Sequence, residues 1–86
     1  MRISIPTPLR SYTHQRGWVE AIGSTLNEVF ADLDAQFPGI RFRFVDEQGQ
    51  LRKHMKVFVG QESVRDLSTA LTETDVVTLM QALSGG

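Results

Sequence analysis

Apolar residues follow two rhythms along this chain. Residues 2–6, RISIP, alternate, with Ile3 and Ile5 on one side and Arg2 and Ser4 on the other. A period of two marks a strand with one buried face. Pro6 and Pro8 end it, because proline cannot donate to a ladder. After Gly17, residues 18–22, WVEAI, form a second short strand, with Val19 and Ala21 inward and Glu20 outward. The rhythm then changes. Leu26, Val29, Phe30, Leu33 and Phe37 are spaced i, i+3, i+4, i+7, i+11, which is one apolar stripe on a helix. Thr25, followed three residues later by Glu28, fits a capping box, so the helix starts near Thr25. Pro38-Gly39 stops it near Phe37. Each of those side chains contributes roughly 1.5–3 kcal/mol when fully buried, so the stripe needs a sheet to cover.

Alternation returns in the second half. Residues 41–45, RFRFV, place Arg41 and Arg43 opposite Phe42 and Phe44 and read as a strand. Residues 46–50, DEQGQ, are a turn. Residues 54–60, HMKVFVG, set Met55, Val57 and Val59 on one face and His54, Lys56 and Phe58 on the other. Gly60-Gln61 suits a type II′ hairpin turn leading into ESVR at 62–65. Finally, DVVTLM at 75–80 directs Val77 and Leu79 one way and Thr78 and Met80 the other. The order is strand, strand, helix, strand, strand, strand. One main helix lies across a sheet of four or five strands, an α+β two-layer fold.

Composition narrows the chemistry more than the fold. The 86 residues suit one small domain. There is no cysteine, which excludes disulfides, thiolate metal sites and a cysteine nucleophile. A net charge of −1 argues against a dedicated nucleic-acid binder. The basic residues Arg41, Arg43, Arg52, Lys53 and Lys56 read as a solvated sheet face. His14 and His54 lack metal-ligand spacing, and no serine sits in a nucleophile elbow. Trp18 reads as a packing residue. No stretch resembles a signal peptide or a membrane span, so a cytoplasmic protein without membrane contact is expected. Phe58 and Met80, on the outward face, are candidates for an apolar docking patch.

Several stretches in order, covering nearly the whole chain, carry a resemblance. They are IPTPLR at 5–10, TL at 25–26, FPGIR at 37–41, DEQGQLR at 46–52, VFV at 57–59, ESVR at 62–65 and the closing SGG at 84–86. Together they resemble the ubiquitin-like, β-grasp sulfur carriers of the ThiS/MoaD family. They are most similar to the branch serving cysteine or thiocarboxylate-metabolite biosynthesis. The chain departs from that family's pattern at His54-Met55-Lys56, Gly60, Gln81 and Ser84.

The resemblance implies a mixed-sheet β-grasp domain over residues 1–80 and a flexible tail over 81–86. It implies that an activating enzyme of the ubiquitin-activating type joins the Gly86 carboxylate to AMP, using ATP and magnesium. Sulfide from a sulfur source then gives a thiocarboxylate at Gly86, which a downstream enzyme accepts. Gly85 lets the tail thread into a narrow channel, since a residue without Cβ permits close backbone approach. Phe58 and Met80 would touch the activating enzyme. The chain itself would be a co-substrate with no bound cofactor or metal and no catalytic residue. A metalloprotease would expose Gly86 where further residues follow it. Three alternatives share the fold: a protein modifier forming isopeptide bonds through Gly86, a molybdopterin synthase small subunit, and a binding module with an inert tail.

Overall fold

The computed structural model describes residues 1–82. Five strands form one sheet: β1 (Arg2–Ser4), β2 (Trp18–Glu20), β3 (Met55–Val59), β4 (Glu62–Val64) and β5 (Val76–Gln81), in the order β2-β1-β5-β3-β4. β1 and β5 run parallel at the centre, and the other pairs are antiparallel. The eleven-residue helix α1 (Leu26–Gln36) packs on one face. This mixed sheet with one main helix is the β-grasp fold that the sequence implies.

The helix begins as its side chains dictate. The Thr25 hydroxyl accepts from the Glu28 N–H at 3.2 Å. The reciprocal arm differs from a standard capping box, because the Glu28 carboxylate accepts from the Ser24 N–H at 2.9 Å rather than from Thr25. The next free amides of the first turn are met from outside the helix. Leu26 N–H donates to the Thr69 carbonyl and Asn27 N–H to the Leu67 carbonyl. Leu26, Val29, Phe30 and Leu33 are fully buried, as the apolar stripe requires. They meet Ile3, Val57, Val77 and Leu79 from the inner face of the sheet. The period of two in β1, β2, β3 and β5 assigns these inner residues correctly.

The expected strand at 41–45 is not a strand. Residues Arg41–Phe44 make a single helical turn, α2. Arg43 N–H donates to Ile40 O and Val45 N–H to Arg41 O. Asp34 Oδ1 accepts from the Gly39 and Arg41 amides and fixes the corner after α1. Phe37, Ile40 and Phe44 then point into the core, three and four residues apart. Phe44 meets Phe30 edge-on, with ring centroids 4.7 Å apart. Phe42 points outward instead of sharing a face with Phe44, and is 56% exposed. The alternation of RFRFV was therefore misleading: helical spacing from Phe37 carries the core.

Two further readings change. The basic middle is not one sheet face, because Arg41 and Arg43 lie on α2, and Arg52 and Lys53 precede β3. Trp18 is on the outer face, 47% exposed, with the Arg2 guanidinium 4.3 Å from its ring centre. Residues Thr7–Thr13, which carry no clear periodicity, form a 3-10 helix burying Leu9 and Thr13. The Gly60-Gln61 hairpin is as expected, with Gly60 at φ +61° and β3 paired to β4 on either side.

Candidate functional site

β5 is the strand that leads to the C-terminal residues, so its far end defines the site. Met55 pairs with Gln81, and the Ala82 N–H donates to the His54 carbonyl at 2.7 Å. The ladder thus runs past the expected boundary at residue 80. The sulfur-carrying Gly86 and tail-threading Gly85 of the sequence reading lie outside the described residues.

The docking candidates are both on the outer face. Phe58 is opposite Thr78 on β5 and opposite Ser63 on β4. Lys56 is opposite Met80, one step nearer the tail. Phe58 is half-buried and Met80 is 49% exposed. Their backbone phase puts Val57 and Leu79, the residues beside them, into the core. Register also extends this face: Trp18, Ser4, Thr78, Phe58 and Ser63 form one row across all five strands. Trp18 was missed as part of this surface. The signal was present, since placing Val19 inward requires Trp18 to point outward.

A groove opens beside the end of β5. β1 pairs only with Val76–Thr78, and Pro6 turns the chain away just beyond. Leu79, Met80 and Gln81 therefore have no β1 partner, and Pro6, Thr7, Pro8 and Arg10 form the opposite wall. Arg10 is held there by its Nε, which donates to the Ile5 carbonyl at 3.0 Å. Sequence reading saw Pro6 only as a stop signal. Its other effect is to leave the tail-proximal edge of β5 open on one side.

On the opposite side, Arg65 fixes the segment that leads into β3. Its guanidinium donates to the carbonyls of Met55, Leu51 and Arg52 at 2.8, 3.1 and 2.9 Å. That segment follows the turn at Asp46, whose Oδ1 accepts from the Gln48 and Gln50 amides at 2.8 and 3.0 Å. The Gln50 amide chiefly, then the Gln48 amide and the nearby Arg52 charge, hold the Asp46 carboxyl below its ordinary range. Asp66 is likewise lowered, by the Ser68 hydroxyl and amide. Both act on turn geometry, away from β5. Among the described residues no group of three or more His, Cys, Asp or Glu side chains could hold a metal ion, and no helix is long and apolar enough to cross a membrane. His14 packs edge-on to Phe37. What this surface offers is a hydrogen-bonded ladder ending at an open edge, beside a partly apolar face.

Comparison with known proteins gives this geometry a context. The ThiS family model matches residues 3–86. The sulfur carrier protein CysO of Mycobacterium tuberculosis is 39% identical over 89 residues, covering 98% of this chain and 96% of that protein. A crystal structure of M. tuberculosis CysO superposes with a TM-score of 0.90 at 38% identity, over 95% of this chain and 98% of that one. The crystal structure of the Amycolatopsis orientalis BexX/CysO complex gives a TM-score of 0.91 at 35% identity, covering 99% of this chain and 98% of that one.

Proposed function

This chain belongs to the ThiS family, and from that membership we propose that it is a sulfur carrier whose Gly86 carboxylate is activated by a partner enzyme and converted to a thiocarboxylate. The observation carrying the reading is that the family match runs to Gly86 at the end of the sequence that follows β5, whose ladder is held as far as Ala82. The similarity to CysO proteins along almost the whole chain supports the same role.

The chemistry follows from the carboxylate. A terminal carboxyl has a pKa near ~3.5 and is an anion at neutral pH, so a nucleophile cannot expel oxide from it. Attack of the Gly86 carboxylate on ATP releases pyrophosphate and leaves an acyl-adenylate. Hydrosulfide then attacks the acyl carbon. A C–S bond forms, the C–O bond to AMP breaks, and the remaining proton is lost to give the thiocarboxylate. ATP and magnesium belong to the partner, an activating enzyme of the ubiquitin-activating type, and a downstream enzyme takes the sulfur. The setting is the cytoplasm. A processing metalloprotease is needed only where residues follow Gly86.

In this reading the domain is a handle. Its ladder, hydrogen-bonded as far as Ala82, sets where the tail starts, and Phe58 and Met80 help hold the activating enzyme. Gly85 and Gly86 leave a narrow channel unobstructed. The BexX/CysO complex is a structure in which a carrier of this kind meets a partner protein, and this chain is proposed to engage partners in the same manner.

The experiment is pyrophosphate release with the activating enzyme, followed by intact mass once sulfide is supplied. Wild type is expected to exchange one oxygen for sulfur. Gly86→Ala is expected to fold normally and to lose adenylation by at least about tenfold, which is ~1.4 kcal/mol of transition-state stabilisation. Equal turnover and thiolation of the two proteins would falsify the carrier assignment.

A further inference from the structure

Charge is sorted along β5. Near its first residue lie Glu73 and Asp75. By register, Glu20 stands across Arg2 from Val76, and Glu62 across Val59 from Val77, so these four carboxylates outnumber the two cations at this end, Arg2 and the Met1 ammonium. Near its last residue the sign reverses. Lys56 faces Met80, and the His54 carbonyl holds the Ala82 amide. Arg43, Arg52 and His54 then line one open notch of about 250 Å³ together with Phe42. The whole chain has a net charge of −1. The cationic end is therefore local: the fold brings the basic residues of α2 and of the segment before β3 together at the end of β5.

The notch has a defined form. Arg52 lays its guanidinium over the Phe42 ring, 4.6 Å from the ring centre, while its Nε donates to the Phe42 carbonyl at 2.9 Å. Two contacts fix one side chain, so its planar fork is presented at little further entropy cost. Arg43 is exposed beside it, and its guanidinium donates no hydrogen bond among the described residues. The Arg52 charge reaches the Asp46 carboxylate, whose Oδ1 is already engaged by the Gln48 and Gln50 amides. An exposed aromatic flanked by arginines has the composition of a binding hot spot. Guanidinium groups match carboxylates two bonds at a time.

We propose that Phe42, Arg43, Arg52 and His54 form a second docking surface, for an acidic protein surface rimming the channel that receives the tail. The proposal rests on the carrier reading and adds to it the chemistry of the partner. This notch lies on the β3 side of the tail exit, whereas the groove walled by Pro6 and Arg10 lies on the β1 side. A partner with a negative rim grips the exit beside the strand, while Phe58 and Met80 meet its floor. The sorted charge also orients approach, since a dipole along β5 turns the tail-bearing end toward a negative site before contact.

The test begins with the full-length chain and a short poly-aspartate peptide, followed by NMR amide shifts. Shifts are expected at Phe42, Arg43, Arg52 and His54, disappearing in about 1 M salt, where screening acts within about 3 Å. Arg43→Glu should abolish them, and Glu73→Lys at the opposite end should not. With the activating enzyme, Arg43→Glu and Phe42→Ala should each raise KM for the carrier about tenfold with kcat unchanged. Circular dichroism should show both variants folded. Peptide shifts scattered over the surface, or unchanged KM in both variants, overturn the proposal. Tighter binding of a short DNA duplex than of the peptide at these residues also overturns it. If the peptide binds here but wild type is never adenylated, the carrier reading falls and takes with it the assignment of this surface to the activating enzyme; if wild type is adenylated but the peptide does not bind here, only the docking proposal is overturned.

Discussion

At the scale of single residues, phase along a strand decides which side chains a partner can touch. Met80 is outward because Leu79 is fully inside. Replacing it by Asp should leave the melting temperature nearly unchanged, since surface substitutions away from special features stay within about ±0.5 kcal/mol. Adenylation by the activating enzyme should weaken nonetheless. Thermal unfolding beside a pyrophosphate assay separates these, and a large drop in melting temperature would place Met80 in the core. Asp46 has a different kind of role. Its carboxyl titrates below the ordinary 3.8 because the folded turn donates two amides to the charged form. A lowered folded value means that the stabilisation is complete above about pH 3.8 and fades as pH falls through the folded pKa. The Gln48 and Gln50 amides should therefore show lower protection in acid than at neutral pH, when each exchange rate is compared with the intrinsic rate at the same pH. Asp46→Asn should remove that acid-dependent step.

At the scale of elements, the approach of the chain to α1 is steric as much as electrostatic. A Cβ added at Gly23 would lie 2.6 Å from the Val29 nitrogen and 2.9 Å from the Glu28 carbonyl carbon. Both are backbone atoms of the first helical turn and cannot rotate aside. Gly23→Ala should cost about 1–3 kcal/mol, the range for overpacking. The loss should appear in denaturant midpoints, and amide shifts should be centred on residues 23–29. A neutral result would mean that the β2-to-α1 link moves freely. α2 shows how an element can be hidden in sequence. Its four residues alternate as a strand would, but they follow a Pro-Gly corner whose amides are gathered by Asp34. Once that corner is set, the chain continues the helical spacing of Phe37 and Ile40, and Phe44 completes it.

At the scale of the whole molecule, one core serves both halves of the chain. Phe44 brings α2 against Phe30 of α1. Phe44→Ala should cost about 3–5 kcal/mol. That is a large part of the 5–15 kcal/mol of a whole small domain. Calorimetry should show the loss as a much lower melting temperature. It should also disturb the docking notch, because Phe42 and Arg43 lie on the same turn. Arg65, just after β4, holds the segment from Leu51 to Met55 through three carbonyls, each of them distant from it in sequence.

What the sequence determined by itself is periodic or local. The strand phases are written in alternation, which a half-buried sheet imposes on every second residue. The start and end of α1 are written in Thr25, Glu28 and Pro38-Gly39, which act on amides and torsions a few bonds away. The motifs that pointed to the ThiS family are local in the same sense, and Phe58 and Met80 were placed outward by period alone. Tertiary structure decided the rest. A single turn such as α2 is too short to have a period of its own, so packing chose between strand and helix. The open edge of β5 exists because β1 stops at Ser4 and β5 continues to Gln81, a difference between partners remote in the chain. The basic residues of the notch already stand close in the sequence, but only the meeting of α2 with the approach to β3 sets Arg43 and Arg52 around Phe42 and His54, because a single helical turn has no period from which its facing could be read.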